Sequence, residues 1–333
     1  MKRHPVIIAA ALLLAAVLVC AVSCHSLSSA PKGPDKDGSY TSSVYYTGDD
    51  AGKLTVRYIG LSGADGDTYA GDCAVYTSPE GLVMMVDCGN QISYQELFPV
   101  LDAMGIRKID IFVMSHPHVD HIGSFTELAR RYGIGKLYKN YVEYRTDVYK
   151  GAMMTAEQLG IEVQVLYEGD SFKFGEYVDV QVFWPYEGQV IDQTDAASTN
   201  HSSLAMRITY GDSSFWSSGD LYLADEMELV KRYGEQIRSD VVKMNHHGRE
   251  TSNSKDYINT LQPKIAVACQ SHFSSEAVLN WYRGSGATVF HTAFDGTVRI
   301  STAGDGHYDV QVQNIRTKTK LYGKPAEDGH YVF

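Results

Sequence analysis

Apolar and polar residues alternate along this chain with two periods, one typical of strands and the other of helices. Residues 54–59 alternate as a half-buried strand does, whereas the mostly apolar run Ile109–Met114 is typical of a strand buried on both faces. Residues 94–104 carry apolar side chains at helical spacing and stop before Gly105. The pattern therefore predicts a chain in which strands and helices follow one another.

The same periods extend over most of the chain. Strands are predicted at residues 54–59, 74–77, 82–86, 109–114, 137–141, 161–166, 178–184, 203–210, 213–217, 240–244, 265–269, 288–290 and 297–301. Helices are predicted at residues 94–104, 123–132, 151–159, 224–233 and 277–283, with one more before residue 265 and a polar loop at 185–199. Two sheets covered outside by helices fit this order. We therefore predict an α/β protein, a four-layer αβ/βα sandwich whose halves place their loops on one shared edge.

The amino terminus has the pattern of a secretory signal. Lys2 and Arg3 precede an apolar run at residues 6–22. Cys24 directly follows Val-Ser, which resembles a bacterial lipobox, where the cysteine is lipidated and becomes the first mature residue. An uncleaved membrane anchor is the alternative interpretation. Both interpretations place the rest of the chain outside the cytoplasmic membrane.

These features divide the 333 residues into four segments. We predict a signal with a lipobox at 1–24 and a flexible tether, rich in Ser, Gly, Pro and Asp, at 25–52. One large domain is predicted at 53–315, with a carboxy-terminal tail at 316–333.

Composition limits the partners of this domain. A formal net charge of −11 disfavours sequence-independent binding to nucleic acid, which depends on Lys and Arg, although a local basic groove is compatible with it. The 23 tyrosines could form a rim that stacks on sugars or bases, or could cap sheet and helix surfaces. Composition alone leaves both interpretations open.

Three cysteines follow the signal, namely Cys73, Cys88 and Cys269. An odd number leaves a spare thiol in an oxidising compartment. Cys73 and Cys88 flank a predicted hairpin, so a disulfide between them is one alternative, although directly opposed strand positions often strain such a bond.

The strongest chemical signal is the sequence SHPHVDH at residues 115–121, directly after the predicted strand Ile109–Met114. Isolated histidines are usually ordinary surface or core residues, but three histidines and an aspartate at this spacing have no structural reason to cluster. Neutral imidazoles at the end of a strand can share one divalent cation, while the carboxylate and the last imidazole reach a second. The motif predicts a two-metal hydrolase site.

Four further motifs follow in order around this one: GDC at 71–73, VDCG at 86–89, SGD at 218–220 and NHHG at 245–248. Together with HPHVDH they resemble the metallo-β-lactamase superfamily, over roughly residues 53–315. The stretches KMNHHGRETSNS and FHTAFDGTVRIS resemble in particular the hydrolase domain of ComEC-type competence proteins and related secreted phosphodiesterases. The resemblance implies a hydrolase domain with the sandwich fold predicted above.

The resemblance also implies a first metal, bound by His116, His118 and a later histidine. His201 is the candidate for the third ligand because it immediately precedes a predicted strand. An ordinary loop histidine is the alternative, since competence-type relatives often carry Asn or Ser near this point.

A second metal is implied at Asp120, His121 and either His246 or His247, and the resemblance does not decide between the last two. Asp220 matches the carboxylate that bridges the two ions. The ions implied are two divalent cations, zinc or, as an alternative, manganese.

Further residues are implied around the metals. Asp87 and Asp72 are expected to accept the distal N–H of a ligand histidine, with a strand-end turn as the alternative role. Asp120 is expected to take part in catalysis as well as in metal binding. His272 is expected to contact a phosphate or assist the leaving group, or else to be an ordinary loop histidine.

Two cations would lower the pKa of a bridging water toward 7, so the expected activity is hydrolysis by a metal-bridged hydroxide. We expect an extracytoplasmic phosphodiesterase or nuclease whose substrate is DNA or a phosphorylated envelope polymer, held at the membrane through its lipid anchor. The alternatives are a small-molecule hydrolase of the lactamase or lactonase type and a non-catalytic lipoprotein that binds a polymer.

Overall fold

The computed structural model describes residues 43–62, 71–271, 274–315 and 329–333. Their strands are β1 (Leu54–Tyr58), β2 (Ala74–Thr77), β3 (Val83–Val86), β4 (Ile109–Met114), β5 (Ile134–Lys139), β6 (Glu162–Val165), β7 (Ser171–Phe174), β8 (Val178–Trp184), β9 (Ala205–Tyr210), β10 (Ser213–Ser217), β11 (Val241–Lys243), β12 (Ile265–Ala268), β13 (Thr288–His291), β14 (Val298–Thr302), β15 (Asp309–Val312) and β16 (His330–Val332). Their α-helices are α1 (Tyr94–Ala103), α2 (Val119–Ile122), α3 (Phe125–Tyr132), α4 (Asp147–Gln158), α5 (Ala196–Asn200), α6 (Leu223–Tyr233), α7 (Lys255–Leu261), α8 (Glu276–Gly284) and α9 (Thr292–Asp295). Short 3₁₀ helices lie at Ser43–Tyr45, Gly234–Ile237 and Asn245–Gly248.

The strands form two sheets. The nine-stranded sheet has the order β16-β15-β14-β1-β2-β3-β4-β5-β6, and the seven-stranded sheet has the order β13-β12-β11-β10-β9-β8-β7. Strands β3 to β6 are parallel, as are β10 to β13. Parallel strands end at the same edge of a sheet, so the loops after β3 and β4 are neighbours, as are those after β10 and β11.

Side chains alternate between the two faces of each strand, and this alternation creates three apolar layers. In β3, Met85 packs with Leu97 of α1 and Phe125 of α3, whereas Met84 packs between the two sheets. In β11, Val241 faces the core between the sheets and Val242 packs on the side of α6, α7 and α8. Helices, sheet, sheet and helices therefore stack in that order, which confirms the predicted four-layer sandwich.

Several predicted boundaries differ from the structure. The helix predicted at 123–132 is divided into α2 and α3. Helix α4 begins earlier than predicted, at Asp147, because the Thr146 side chain caps it by accepting a hydrogen bond from the Tyr149 amide. Strands β7, β15 and β16 lie outside the predicted strands, and α5 occupies the end of the predicted loop at 185–199. Such short elements contain too few residues to show a period.

The packed domain extends past the predicted limits of 53 and 315. Val44 and Tyr45, in the predicted tether, are buried. Asp50 forms buried ion pairs with Arg57 and Arg299, each at 2.8 Å. In the predicted tail, β16 pairs with β15 and completes the sheet.

The predicted signal and lipobox at 1–24, the tether up to residue 42 and residues 316–328 lie outside the described residues. In the part of the chain that the structure describes, no helix has the length and apolar character needed to cross a membrane.

All three cysteines beyond the signal are buried free thiols. Cys73 and Cys88 lie in the apolar layer between the first sheet and its helices. The disulfide considered for this pair is therefore not formed in the structure.

Candidate metal centre

The loop after β4 turns its polar side chains inward. His116 is fully buried, and His118 is the extended residue directly before α2. The His121 amide donates to the His118 carbonyl at 3.1 Å, which closes the turn. Because α2 begins here, one helical turn carries both Asp120 and His121.

The GDC segment packs directly on this turn. The Asp72 amide donates to the Asp120 carbonyl at 3.1 Å. Gly71 has a φ of +78°, and a Cβ there would lie 1.6 Å from the Asp120 carbonyl oxygen. Glycine is therefore required for this approach, which brings Asp72 to the site.

Four residues from distant parts of the chain meet at the rim between the sheets. Asp72, His121, Asp220 and His247 each offer an atom within 4.8 Å of the others. Asp220 Oδ2 lies 3.3 Å from His121 Nε2 and 3.4 Å from His247 Nε2. Asp120 Oδ2 also lies 3.3 Å from His247 Nε2. Carboxylate oxygens and imidazole nitrogens grouped in this way can surround a divalent cation.

His116 and His118 lie beside this cluster. His116 Nε2 is 4.0 Å from Asp220 Oδ2 and 3.0 Å from His118 Nδ1. The ring centroids of His116 and His121 are 4.1 Å apart. Asp220 is therefore adjacent both to the histidines of the first predicted metal and to those of the second, where a bridging carboxylate is expected.

Several polar atoms of the site are buried without a hydrogen-bond partner. They include His118 Nε2, His121 Nε2, His247 Nε2 and Asp220 Oδ1. Buried polar atoms normally have partners because their desolvation is costly. Each of these atoms is of a type that coordinates divalent cations, so the residues present fit a metal.

Two buried carboxylates orient His121 and His247. Asp87 Oδ2 accepts a hydrogen bond from His121 Nδ1 at 2.8 Å, and Asp72 Oδ1 accepts one from His247 Nδ1 at 3.0 Å. These bonds leave the Nε2 atom of each ring on the side of Asp220. The structure thus places Asp87 and Asp72 where the resemblance implied them.

Carboxylates shift the pKa values of the histidines unequally. Burial lowers the pKa of His121, but Asp220 and Asp87 outweigh burial and hold it well above its ordinary value. Burial also lowers the pKa of His116, and the neighbouring His121 lowers it further, so it stays well below its ordinary value. Without a bound cation, His121 is therefore the protonated member of this pair and His116 the neutral one.

Lys243 is a charged residue at the site that the sequence analysis missed. Its buried ammonium contacts Asp72 Oδ2, donates to the Gly219 carbonyl at 2.9 Å and lies 3.6 Å from Asp220 Oδ1. Burial lowers the pKa of Lys243, but Asp72 and Asp220 outweigh burial and raise it above its ordinary value. The strand period could have revealed it, because Lys243 follows Val241 by two positions and so shares its inward face.

The structure distinguishes the two histidines of the NHHG motif. His247 belongs to the four-residue cluster, whereas His246 Nδ1 bonds Thr251 Oγ1 at 2.6 Å and its Nε2 lies 3.8 Å from Asp220 Oδ2. Both backbones have positive φ, 46° and 56°. The turn therefore presents His247 to the cluster and His246 to the cavity above it.

The prediction that His201 is a ligand does not hold in the structure. Its Nδ1 bonds Asp225 Oδ2 at 2.7 Å, and a third of its side chain is exposed. Asn200, not His201, lies beside the site: it is buried and lines the cavity. Its Nδ2 donates a hydrogen bond to the Tyr222 hydroxyl at 2.9 Å, and its Oδ1 has no hydrogen-bond partner. The physical reason is α5, which ends at Asn200 and turns consecutive side chains about 100° apart.

A cavity of about 270 Å³ opens above the cluster. Its lining residues are His118, Asp120, Ala196, Ala197, Asn200, Asp220, Tyr222, His246, His247 and Arg249. His272, for which a phosphate or leaving-group role was expected, lies outside the described residues. A larger cavity, of about 430 Å³, lies beside Lys108 and Asp110 at the beginning of β4, away from the histidine loop.

Comparison with known proteins agrees with this site. Residues 66–272 match the family described as the metallo-beta-lactamase superfamily. The solved structure of Igni18, a metallo hydrolase from the archaeon Ignicoccus hospitalis, is similar with a TM-score of 0.50 and 18% identity. The match covers 74% of this chain and 98% of that one, and it supports the fold.

Curated relatives include a competence protein. The chain is 30% identical to competence protein ComA of Neisseria gonorrhoeae, over 73% of this chain and 32% of the relative. It is 26% identical to ComE operon protein 3 of Bacillus subtilis, over 65% of this chain and 30% of the relative. The chain thus spans about a third of the length of these relatives.

The family match covers more than half of the chain, and the motifs that it joins meet at one buried cluster of metal-binding type. The chain therefore belongs to the metallo-β-lactamase superfamily and is a metal-dependent hydrolase of that fold.

Proposed function

We propose that this chain is an extracytoplasmic phosphodiesterase or nuclease that works with two divalent cations, zinc or manganese. The observation that carries the proposal is the position of Asp220, next to His116 on one side and to His121 and His247 on the other, in the wall of an open cavity. When bound, such cations supply a water activated near neutral pH and positive charge for a phosphate.

The chain's own residues divide between the two ions. His116, His118 and the Asn200 amide oxygen would hold the first. The second would be held by Asp120, His121 and His247, with Asp220 shared between both.

The cavity itself suits attack by water. Among the described residues that line it there is no serine or cysteine, so neither a hydroxyl of serine nor a thiol would serve as the nucleophile there. His246 lines the cavity while Thr251 holds its Nδ1. With Nδ1 accepting from Thr251, its Nε2–H could donate a hydrogen bond to an oxygen of the substrate.

Two observations favour a phosphodiester polymer as the substrate and an extracytoplasmic site of action. One relative is a competence protein by name, and competence is the capacity to take up DNA. The amino-terminal sequence, with Lys2, Arg3 and Cys24, has the pattern of a lipoprotein signal. Exposure of the chain to protease added to intact spheroplasts would test the location, and full protection would contradict it.

The test is a substrate panel with the metal-loaded protein. Bis(p-nitrophenyl) phosphate and single-stranded DNA should be hydrolysed and nitrocefin should not. Asp120→Ala should remove the activity because it removes a cavity carboxylate 3.3 Å from His247. His201→Ala is the matched control and should keep it, because the His201 ring is turned to Asp225.

A small-molecule hydrolase is the second candidate, and the cavity volume of about 270 Å³ favours it. Turnover of nitrocefin or of a lactone, with no turnover of either phosphodiester, would replace the first proposal by this one.

A further inference from the structure

Arg249 is a cavity residue that none of the preceding roles uses. It directly follows the Asn245–Gly248 turn and is half-buried. It lines the same cavity as His118, Asp120 and Asp220. Its position next to the metal-binding residues raises the question of what a guanidinium does there.

The backbone of Arg249 is fixed relative to the ligand histidines. Its amide donates to the His246 carbonyl at 3.0 Å, and its carbonyl accepts from Asn253 Nδ2 at 3.0 Å. Asn253 is itself fixed by two hydrogen bonds. Its backbone amide donates to the buried Glu226 carboxylate at 2.6 Å, and its side-chain Nδ2 donates to the Asn245 carbonyl at 2.9 Å. The side chain of Arg249 therefore starts from a defined point on the cavity wall.

Arg249 is also the source of permanent positive charge in the cavity. Among the described residues of the lining it is the one Arg or Lys, while Asp220 belongs to the four-residue cluster and Asp120 lies beside His247 of that cluster. Lys243 is engaged instead with Asp72 and the Gly219 carbonyl and does not line the cavity.

We propose that Arg249 is the anion-binding residue of the substrate site, which pairs with a non-bridging oxygen of a phosphodiester and selects anionic esters over neutral ones. The proposal rests on the phosphodiesterase function proposed above. A guanidinium can donate two parallel hydrogen bonds to a phosphate. Because the chain has a net charge of −11, a guanidinium on the cavity wall would favour the approach of an anion, in addition to any bound cations.

The first test compares Arg249→Gln and Arg249→Lys with the wild type, all loaded with metal. For bis(p-nitrophenyl) phosphate we expect Arg249→Gln to raise KM by about tenfold to a hundredfold, since a charged hydrogen bond contributes about 1.5 to 3 kcal/mol. Calorimetry with inorganic phosphate should show a similar loss of affinity at unchanged metal content. Arg249→Lys should lose less, because it keeps the charge but not the paired donors.

Arg232→Gln is the matched control. Arg232 lies outside the cavity and pairs with Glu168 at 2.9 Å, so both KM and phosphate affinity should stay at the wild-type values. If Arg249→Gln retains the wild-type KM and phosphate affinity, the role of Arg249 is overturned while the phosphodiesterase function stands. The other outcome is that the wild type hydrolyses no phosphodiester but binds inorganic phosphate more tightly than Arg249→Gln does. In that case the proposed phosphodiesterase function is wrong and the anion-binding role of Arg249 is retained.

A second measurement uses the unchanged protein and so does not depend on how the variants fold. Inorganic phosphate should protect Arg249, but not Arg232, from modification by phenylglyoxal, as mapped by mass spectrometry. Equal modification of Arg249 with and without phosphate would overturn the proposal.

Discussion

The two halves of the metal centre are built differently. His121 and His247 each have a buried carboxylate on Nδ1, from Asp87 and Asp72 respectively. In the described residues, His116 Nδ1 instead faces the Ser115 hydroxyl at 3.1 Å, and His118 Nδ1 faces the His116 ring at 3.0 Å.

This difference indicates how the site is assembled. A carboxylate on Nδ1 fixes both the tautomer and the orientation of a ligand imidazole, so the half with His121 and His247 is ordered before a cation binds. Lys243 completes that half by neutralising Asp72 and approaching Asp220. In the part of the chain that the structure describes, no carboxylate contacts Nδ1 of His116 or His118, so a cation bound there would depend more on Asn200, its proposed third ligand.

The largest expected effect comes from Lys243→Met, which tests the ordered half. The substitution leaves Asp72 and Asp220 buried without their ammonium, so the free energy of unfolding of the metal-free protein should fall by about 3 to 5 kcal/mol. Denaturant titration measures this loss. A divalent cation should recover more stability in Lys243→Met than in the wild type, because it neutralises the same carboxylates.

Lys139→Met is the matched control for that experiment. Lys139 is equally buried, but its partner Glu143 is largely exposed and can be hydrated when the ammonium is removed. Its loss of stability should therefore be much smaller and should not respond to metal. Equal losses in the two variants would contradict the role given to Lys243.

The next largest expected effect is on metal binding at the half with His116 and His118. Asn200→Ala should weaken the binding of one metal equivalent by about a hundredfold, the upper end of the range for residues that orient or complete a metal site. His201→Ala should leave both equivalents unchanged, because His201 bonds Asp225 outside the cavity. Calorimetric titration of each variant with zinc or manganese measures the number of metal equivalents bound and their affinities. Loss of an equivalent in His201→Ala alone would reverse the assignment.

The smallest expected effect is on stability and concerns Ser274 and His291, which pack behind His247. Ser274 donates to the His247 carbonyl at 2.6 Å, and His291 Nε2 lies 2.9 Å from the same hydroxyl. Burial lowers the pKa of His291 to about 3. Since its folded-state pKa lies below the unfolded value of about 6.5, its contribution to stability is complete above pH 6.5 and is lost as the pH falls toward 3.

Lowering the pH from 6.5 to 5.5 should therefore cost the wild type about 1 kcal/mol more than His291→Gln, which has no ionisable group there. Denaturant titration at the two pH values measures the difference, and the other histidines cancel because both proteins contain them. An identical pH response of the two proteins would show that His291 is not held neutral by the fold.

Local sequence was sufficient to bring the HPHVDH side chains together. His116, His118, Asp120 and His121 lie within six residues at the end of one strand, so a single turn brings them together whatever the rest of the chain does. The four layers were also predictable, because long strands and helices show their period over many positions. Short elements such as α5 and β16 were not, since they carry too few residues for a period.

Tertiary structure alone decided between neighbouring side chains. One step along a helix turns a side chain by about 100°, and one step along a strand moves it to the other face. Adjacent residues therefore lie in different surroundings. The packing of α5 selected Asn200 over His201, and the turn after β11 selected His247 over His246 for the cluster. The ion pair joins Lys243 of β11, in the seven-stranded sheet, to Asp72 in the segment before β2 of the nine-stranded sheet, and such a contact forms only when the two sheets pack together.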